Sequence, residues 1–213
     1  MKYYPAYLDL RGRSCLVVGG GAVAERKIHS LLDARATVVV VSPSLTPALK
    51  RFADSSRITH REKEFDESDL TGSFLAIAAT DSPEVNRLIA AACDRSNMLV
   101  NVAVPPEAGN FIVPSAISRG DLLIAVSTSG ASPAMSRKIR QELEGRYGPE
   151  YGMLLERLAA VRAKVLATVA NEQERTDIFH AIVNSDAVDL LSQGRVREAE
   201  SLISAIADRK NPS

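Results

Sequence analysis

The chain has 213 residues, 46% of them hydrophobic, with 26 Lys+Arg against 26 Asp+Glu. That length buries a real core and suits one or two domains, while the zero net charge leaves no electrostatic footprint for nucleic acid or an anionic membrane. The longest apolar stretches are of strand length, too short to span a bilayer. The opening MKYYPAYLDLRGR lacks the continuous apolar core of a signal peptide. A cytoplasmic protein in a reducing setting is therefore expected. Its two cysteines, Cys15 in CLVVGGG and Cys93 in RLIAAACDRS, show no metal or redox spacing and read as small buried hydrophobes.

Taken in chain order, Cys15–Val18 is a short apolar run ending in glycines. Val23–Ala34 carries Ala24, Ile28, Leu31 and Leu32 on one stripe and predicts an amphipathic helix. A glycine would be natural at Arg35 to end that helix, so either an arginine sits in left-handed geometry or the helix ends differently. Thr37–Val41, Phe74–Ala79 and Met98–Ala103 are continuous runs expected of strands covered on both faces. Between the last two, Pro83–Ser96 predicts a helix with Val85, Leu88, Ile89 and Ala92 on one side. This rhythm implies a Rossmann-like α/β fold with a parallel sheet and right-handed crossovers. Ser115–Arg119 reads as one helical turn and Leu122–Ser127 as a strand. Ser132-Pro133 starts a helix whose apolar face is Met135, Ile139, Leu143 and Tyr147. From Pro149 onward only helical patterns follow: Tyr151–Ala170, Ile178–Val183, Ala187–Leu191 and Val196–Ala207, with Gly194 as a break. The expected division is a dinucleotide-binding domain over 1–112, a small α/β segment over 113–147 and a helical C-terminal domain over 148–213.

LVVGGGAVAERK carries the strongest local signal. Gly19, Gly21 and Ala24 fit G-x-G-x-x-G/A: the first allows the strand-to-helix turn, the second a close approach of pyrophosphate, the third close packing of helix on strand. The phosphates would meet the free N–H groups of the helix N-terminus. The second half of the fingerprint is missing. Where an NAD site usually has an acid after the second strand, this chain reads VVVVSPSL, and neither Ser42 nor Ser44 would repel a 2′-phosphate. These residues leave the choice between NAD and NADP open.

The segments YPAYLDLRGRSCLVVGGGAVAERKIHSLL, AIAATDSPEVN and VNVA…NFIVPSAISRGDLLIAVSTSGASPAMSRKIRQELE together resemble the precorrin-2 dehydrogenase/sirohydrochlorin ferrochelatase family, which includes the N-terminal module of siroheme synthases. The likeness runs from Tyr4 to about Glu144. It implies NAD-dependent oxidation of precorrin-2 to sirohydrochlorin, in some members followed by Fe²⁺ insertion. It also implies a homodimer interlocked through Pro114–Glu144, here a dimerisation segment. By the same resemblance, cofactor contacts map onto Ala22, Val23, Pro43 and Ser44, and Thr80 and Asp81 face the cofactor cleft. The methyltransferase module of the fused enzymes is not expected in a chain that stops at Ser213.

One position departs from the family. Members commonly read Asn-Val-x-Asp, with the aspartate proposed for the chemistry; here Asn101 and Val102 match and Val104 stands in the acid's place. Valine neither accepts a proton nor ligates a metal. The remaining candidates for proton acceptance are Asp81, Glu107 or water. Asn101, Thr128, Ser129 and Ser132 are assigned to the carboxylate-rich substrate, with Arg137 and Lys138 on the following helix as further candidates. His29, His60 and His180 are scattered, and no metal ligand is assigned. The alternative reading is a non-catalytic dinucleotide-binding dimer, a scaffold or redox sensor, that has lost the acid.

Overall fold

Apolar strands of four and five residues can be buried on both faces only if helices cover each side of the sheet. The computed structural model, which describes residues 2–208, meets that demand within the first of two compact units, Met1–Val113 and Pro114–Ser213. Strands β1 (Ser14–Val18), β2 (Thr37–Val41), β3 (Thr59–Arg61), β4 (Leu75–Ala78) and β5 (Leu99–Val102) lie in the order β3-β2-β1-β4-β5, and every pair is parallel. Helices α1 (Ala22–Asp33) and α2 (Pro47–Asp54) bury Ala24, Ile28, Leu31 and Leu49 against Cys15, Val17, Val38, Val40 and Ile77. Helix α3 (Pro83–Arg95) covers the other face, packing Ile89, Ala90, Ala92 and Cys93 against Leu16, Val18, Ala76, Ala78 and Val100. This is the doubly wound arrangement that alternating strands and helices predict. Cys15 and Cys93 are wholly buried, and that burial pushes both thiols up to about 11.

The sequence reading misses α2 and β3. Strand β3 is a three-residue polar edge strand, Thr-His-Arg, with no hydrophobic run to mark it. Helix α2 does carry a start signal: Thr46 accepts the Leu49 N–H at 3.2 Å, and Pro47 occupies the first helical position. The buried face of α3 is also turned from expectation. Leu88 is 65% exposed, and the polar Asn86 is buried in its stead.

The second unit begins with a correction. Ser115–Arg119 is strand β6 rather than a helical turn, and it pairs antiparallel with β7 (Leu122–Val126). Gly120, at φ +58°, opens the two-residue Gly-Asp turn that closes the hairpin. Alternation along β6 leaves Ile117 buried and its neighbours Ala116 and Ser118 exposed, a period of two. Helices α4 (Pro133–Arg146), α5 (Pro149–Thr168), α6 (Glu172–Val183), α7 (Ala187–Ser192) and α8 (Val196–Ala207) follow. Gly152 of α5 abuts the hairpin turn, and a Cβ there would lie 2.6 Å from the Arg119 carbonyl oxygen. Leu154, Val165, Ile178, Ile182, Leu191 and Ile203 form the core of the helices. Helix α4 differs from its neighbours: its buried residue is Ser136, and Met135 on the expected apolar stripe is 50% exposed.

Arg35 does adopt left-handed geometry, at φ +58°. Its N–H donates to the Leu32 carbonyl at 2.9 Å and the Ala36 N–H to the Leu31 carbonyl at 3.0 Å, a Schellman closure of α1 with a non-glycine residue at the left-handed position. Ser56 and Asn97 end α2 and α3 in the same way. Arg35→Gly is expected to raise stability by about 1 kcal/mol, read as a higher denaturant midpoint with unchanged slope.

Candidate functional site

The carboxyl ends of β1, β2 and β4 surround a cavity of about 510 Å³ at the point where the strand order reverses, walled by Gly19–Gly21, Ser42–Thr46, Lys63–Phe65 and Thr80–Ser82. The three glycines have different tasks. Gly19, at φ +119°, donates its N–H to the Val41 carbonyl at 2.9 Å, and a Cβ there would lie 2.2 Å from the Ala79 carbonyl oxygen. Gly20 meets the loop after β2, where a Cβ would fall 1.9 Å from the Ser44 carbonyl oxygen. Gly21 has open space on its Cβ side and caps α1 without a side chain. The backbone amides at the start of α1 are thus left for a ligand. Ala22 and Val23 are exposed beside the cavity wall, and Ala24 is wholly buried. The G-x-G spacing overlooks Gly20; the unbroken GGG run is its signal.

The loop after β2 is held by its own groups. Ser42, buried, donates its hydroxyl to the Ser44 carbonyl at 2.7 Å, and the His60 ring lies 2.9 Å from the Ser42 carbonyl. The Thr46 hydroxyl donates to Glu25 at 2.5 Å, tying α2 to the first turn of α1. Pro43 and Ser44 remain exposed on the wall. Beyond them, Asp69 is only 3% exposed at its side chain and receives Arg61 at 2.9 Å and Lys63 at 2.7 Å. Burial raises the Asp69 pKa, but hydrogen bonds from Lys63, the Asp66 N–H and Arg61 outweigh it, and the carboxyl titrates below its ordinary value. A depressed folded-state pKa gives stability that is present above the unfolded value of about 3.9 and is lost as pH falls. Asp69→Asn should therefore be less stable than the parent at neutral pH, with the gap shrinking below about pH 4. Urea unfolding of both proteins across pH checks this, and a gap independent of pH would contradict it.

On the opposite wall, one buried amide organises two strand ends. Asn86 Oδ1 accepts the Thr80 N–H at 3.1 Å and the Thr80 hydroxyl at 2.8 Å. Its Nδ2 donates to the Thr80 carbonyl at 3.1 Å and to the Val104 carbonyl at 2.8 Å. All the hydrogen-bonding capacity of the amide is used. The chain leaving β4 is thereby clipped to the chain leaving β5. The sequence reading singles out Thr80 but not Asn86; a polar residue on the inward face of α3 was the available signal. Asn86→Asp keeps the shape and removes both donated bonds. It is expected to cost about 3 kcal/mol of stability and to open the loop after β5 to proteolysis, both measured on the same protein.

That loop, VNVAVPPEAGNF, is closed at its base. Asn110 lies along the outer edge of β5: its Oδ1 accepts the Val100 N–H at 2.8 Å, its own N–H donates to the Val100 carbonyl at 3.0 Å, and its Nδ2 donates to the Met98 carbonyl at 2.9 Å. Asn101, buried, donates to the Phe111 carbonyl at 3.0 Å, and its Oδ1 is buried without a partner among the described residues. The Val104 side chain is 56% exposed. Glu107 is exposed on the short turn Pro106–Ala108, away from the cavity wall, whereas Asp81 is exposed on that wall. Ser82, not Asp81, caps α3, accepting the Val85 N–H at 3.2 Å.

In the second unit, Thr128–Ala131 forms a tight turn with Ser129 at φ +54° and Gly130 at φ +90°, closed by the Ala131 N–H on the Thr128 carbonyl at 2.9 Å. The Thr128 hydroxyl accepts the Ser132 N–H at 3.1 Å, and Ser132 caps α4 through the Met135 N–H at 3.2 Å. Ser129 is exposed, with its hydroxyl uncommitted among the described residues. Arg137 and Lys138 are exposed, and Lys138 pairs with Glu142 at 3.8 Å. The histidines lie in separate elements: the His29 ring packs edge-on to Phe52 at 5.0 Å, and His180 is exposed on α6. Among the described residues no three His, Cys, Asp or Glu side chains converge as a metal site, and no helix is long and apolar enough to cross a membrane.

Comparison with known proteins accounts for nearly the whole chain. Residues 6–115 match the family described as putative NAD(P)-binding, 119–146 the sirohaem biosynthesis protein central family, and 150–206 the sirohaem synthase dimerisation region. Siroheme synthase of Methylococcus capsulatus is 38% identical over 98% of this chain and 44% of its own length. That of Photobacterium profundum is 35% identical over 100% of this chain and 45% of its own. The chain thus spans about half the length of these curated relatives. Among solved structures, SirC, precorrin-2 dehydrogenase, superposes with a TM-score of 0.78 at 30% identity, covering 95% of this chain and 100% of that one.

Proposed function

Because the chain belongs to the precorrin-2 dehydrogenase/sirohydrochlorin ferrochelatase family, we propose that it oxidises precorrin-2 to sirohydrochlorin with NAD as hydride acceptor, as a homodimer in the cytoplasm. The observation that carries this reading is the cavity at the sheet's switch point, where the uncapped start of α1, an open Gly21 and the carboxylate of Asp81 share one wall system. Bound NAD supplies the acceptor for the hydride; the chain's own residues bind, orient and handle the proton.

The amides of Gly21, Ala22 and Val23 and the positive end of α1 would hold the pyrophosphate. Gly19 sets the turn that aims them. Pro43 and Ser44, on the wall after β2, would hold the adenosine ribose, and Thr80, immobilised by Asn86, forms the floor. Oxidation of the substrate also releases a proton. Asp81 takes it: the residue is exposed, lines the cavity and does not cap α3. Glu107 is the second candidate, and its place outside the cavity wall makes it the weaker one. A substrate carboxylate meets the Ser129 hydroxyl, uncommitted among the described residues, on the turn that Thr128 and Ser132 hold; the buried Asn101 amide is spent on the Phe111 carbonyl and shapes its own loop instead. The exposed apolar side chains of Leu123 and Met135 support a second copy against this segment.

The test is anaerobic incubation of the full chain with precorrin-2 and NAD, following NADH and sirohydrochlorin together. Turnover is expected. Asp81→Asn should lower kcat by about 100-fold with NAD affinity kept, and Glu107→Gln should stay near the parent. A folded protein that binds NAD but forms no sirohydrochlorin would instead support the non-catalytic dimer in which Val104 has ended the chemistry.

A further inference from the structure

We infer that Glu64 selects the cofactor, supplying from the loop after the third strand of the sheet the negative charge that admits a free ribose 2′-hydroxyl and disfavours a 2′-phosphate. This rests on the dinucleotide reading above and goes beyond it in naming the residue that discriminates. In a parallel sheet of this order the adenosine ribose lies beyond the carboxyl end of β2, and an acid at that end ordinarily makes the choice. Here β2 ends at Val41 and the next residue is Ser42. The Ser42 hydroxyl is spent on the Ser44 carbonyl at 2.7 Å, and its carbonyl lies 2.9 Å from the His60 ring. The β2 side of the wall is therefore neutral: Ser42, Pro43 and Ser44.

The neighbouring strand brings charge to the same place. Val41 is in register with Arg61, and the Ser42 N–H donates to the Arg61 carbonyl at 3.2 Å, so the chain leaving β3 runs beside the chain leaving β2. Lys63 and Glu64 consequently line one cavity with Ser42–Ser44. The two charges are not equivalent. The Lys63 ammonium is held 2.7 Å from Asp69, which also holds Arg61 at 2.9 Å, so both cations are drawn toward that buried carboxylate. Glu64 is exposed and makes no ion pair among the described residues. Of the two charged side chains that line this wall, Lys63 is paired to Asp69 and Glu64 has no cation on it among the described residues. The Glu64 carboxylate accepts hydrogen bonds from ribose hydroxyls and repels a phosphate dianion. The acid absent from the second strand is thus replaced by one in the next strand's loop, where a motif counted along β2 does not look.

The experiment is calorimetric titration of the full chain, its Glu64→Gln variant and its Glu64→Lys variant with NAD and with NADP at low ionic strength, repeated in high salt. The side chain is exposed, so the variants are expected to unfold at the parent's midpoint. The parent should prefer NAD. Glu64→Gln should narrow that preference by about tenfold and Glu64→Lys should narrow it further or reverse it, with the differences shrinking in salt. A parent that binds both equally, or a preference unchanged in both variants, overturns the inference while leaving dinucleotide binding intact. A folded parent that binds neither overturns the dinucleotide reading, and this assignment falls with it.

Discussion

The buried amide of Asn86 is the interaction on which the arrangement of the site depends. It sits on the inward face of α3, wholly removed from water, yet every hydrogen-bonding position it has is filled by backbone or hydroxyl groups of the chain leaving β4 and the chain leaving β5. A buried amide is costly unless satisfied. Its satisfaction here requires Thr80 and Val104 to be where they are. The floor of the cavity and the root of the neighbouring loop are therefore one structure. An acid at position 86 would offer no donors and an apolar residue would offer nothing, so the chemistry of the amide itself sets the geometry.

A second constraint acts through absence. Gly19 and Gly20 lie against the Ala79 and Ser44 carbonyls so closely that no side chain fits at either. These contacts bring the turn between β1 and α1 against the chain leaving β4 on one side and the loop after β2 on the other. Gly21 then faces open space. The same short run of glycines thus closes the protein on two sides and opens it on the third, and a ligand's phosphates can approach the helix N-terminus without meeting a Cβ.

The loop VNVAVPPEAGNF has a different logic from the cavity. Asn110 satisfies the outer edge of β5 in place of a further strand, and Asn101 fastens the returning chain at Phe111. Its asparagines are used to shape it, and Val104 presents a methyl-bearing side chain to solvent. Within unit Met1–Val113 the carboxylates on the cavity wall come from other segments: Asp81 from the chain after β4 and Glu64 from the chain after β3. The position in which an acid is expected and the positions in which acids occur are different ones.

The sequence by itself determined the alternation of strands and helices, the parallel sheet, the glycine turn between the first strand and helix, and the helical C-terminal region. Each of those rests on a short-range signal: continuous apolar runs, a repeat near 3.6, glycines at a strand-to-helix turn, serine before proline at a helix start. Arg35 was legible as a point of conflict, because helix termination is local. Strand β3 and the hairpin partner β6 were not legible, since a three-residue polar edge strand carries no hydrophobic pattern and β6 alternates polar and small residues around a single buried Ile117. Only the tertiary structure decided which polar groups are spent and which are free. Asn86 reaches Val104 across 18 positions of sequence, and Glu64 and Ser44 line one cavity only through the pairing of β2 with β3. Hydrogen bonding and charge compensation depend on distance in space, and strand order sets those distances.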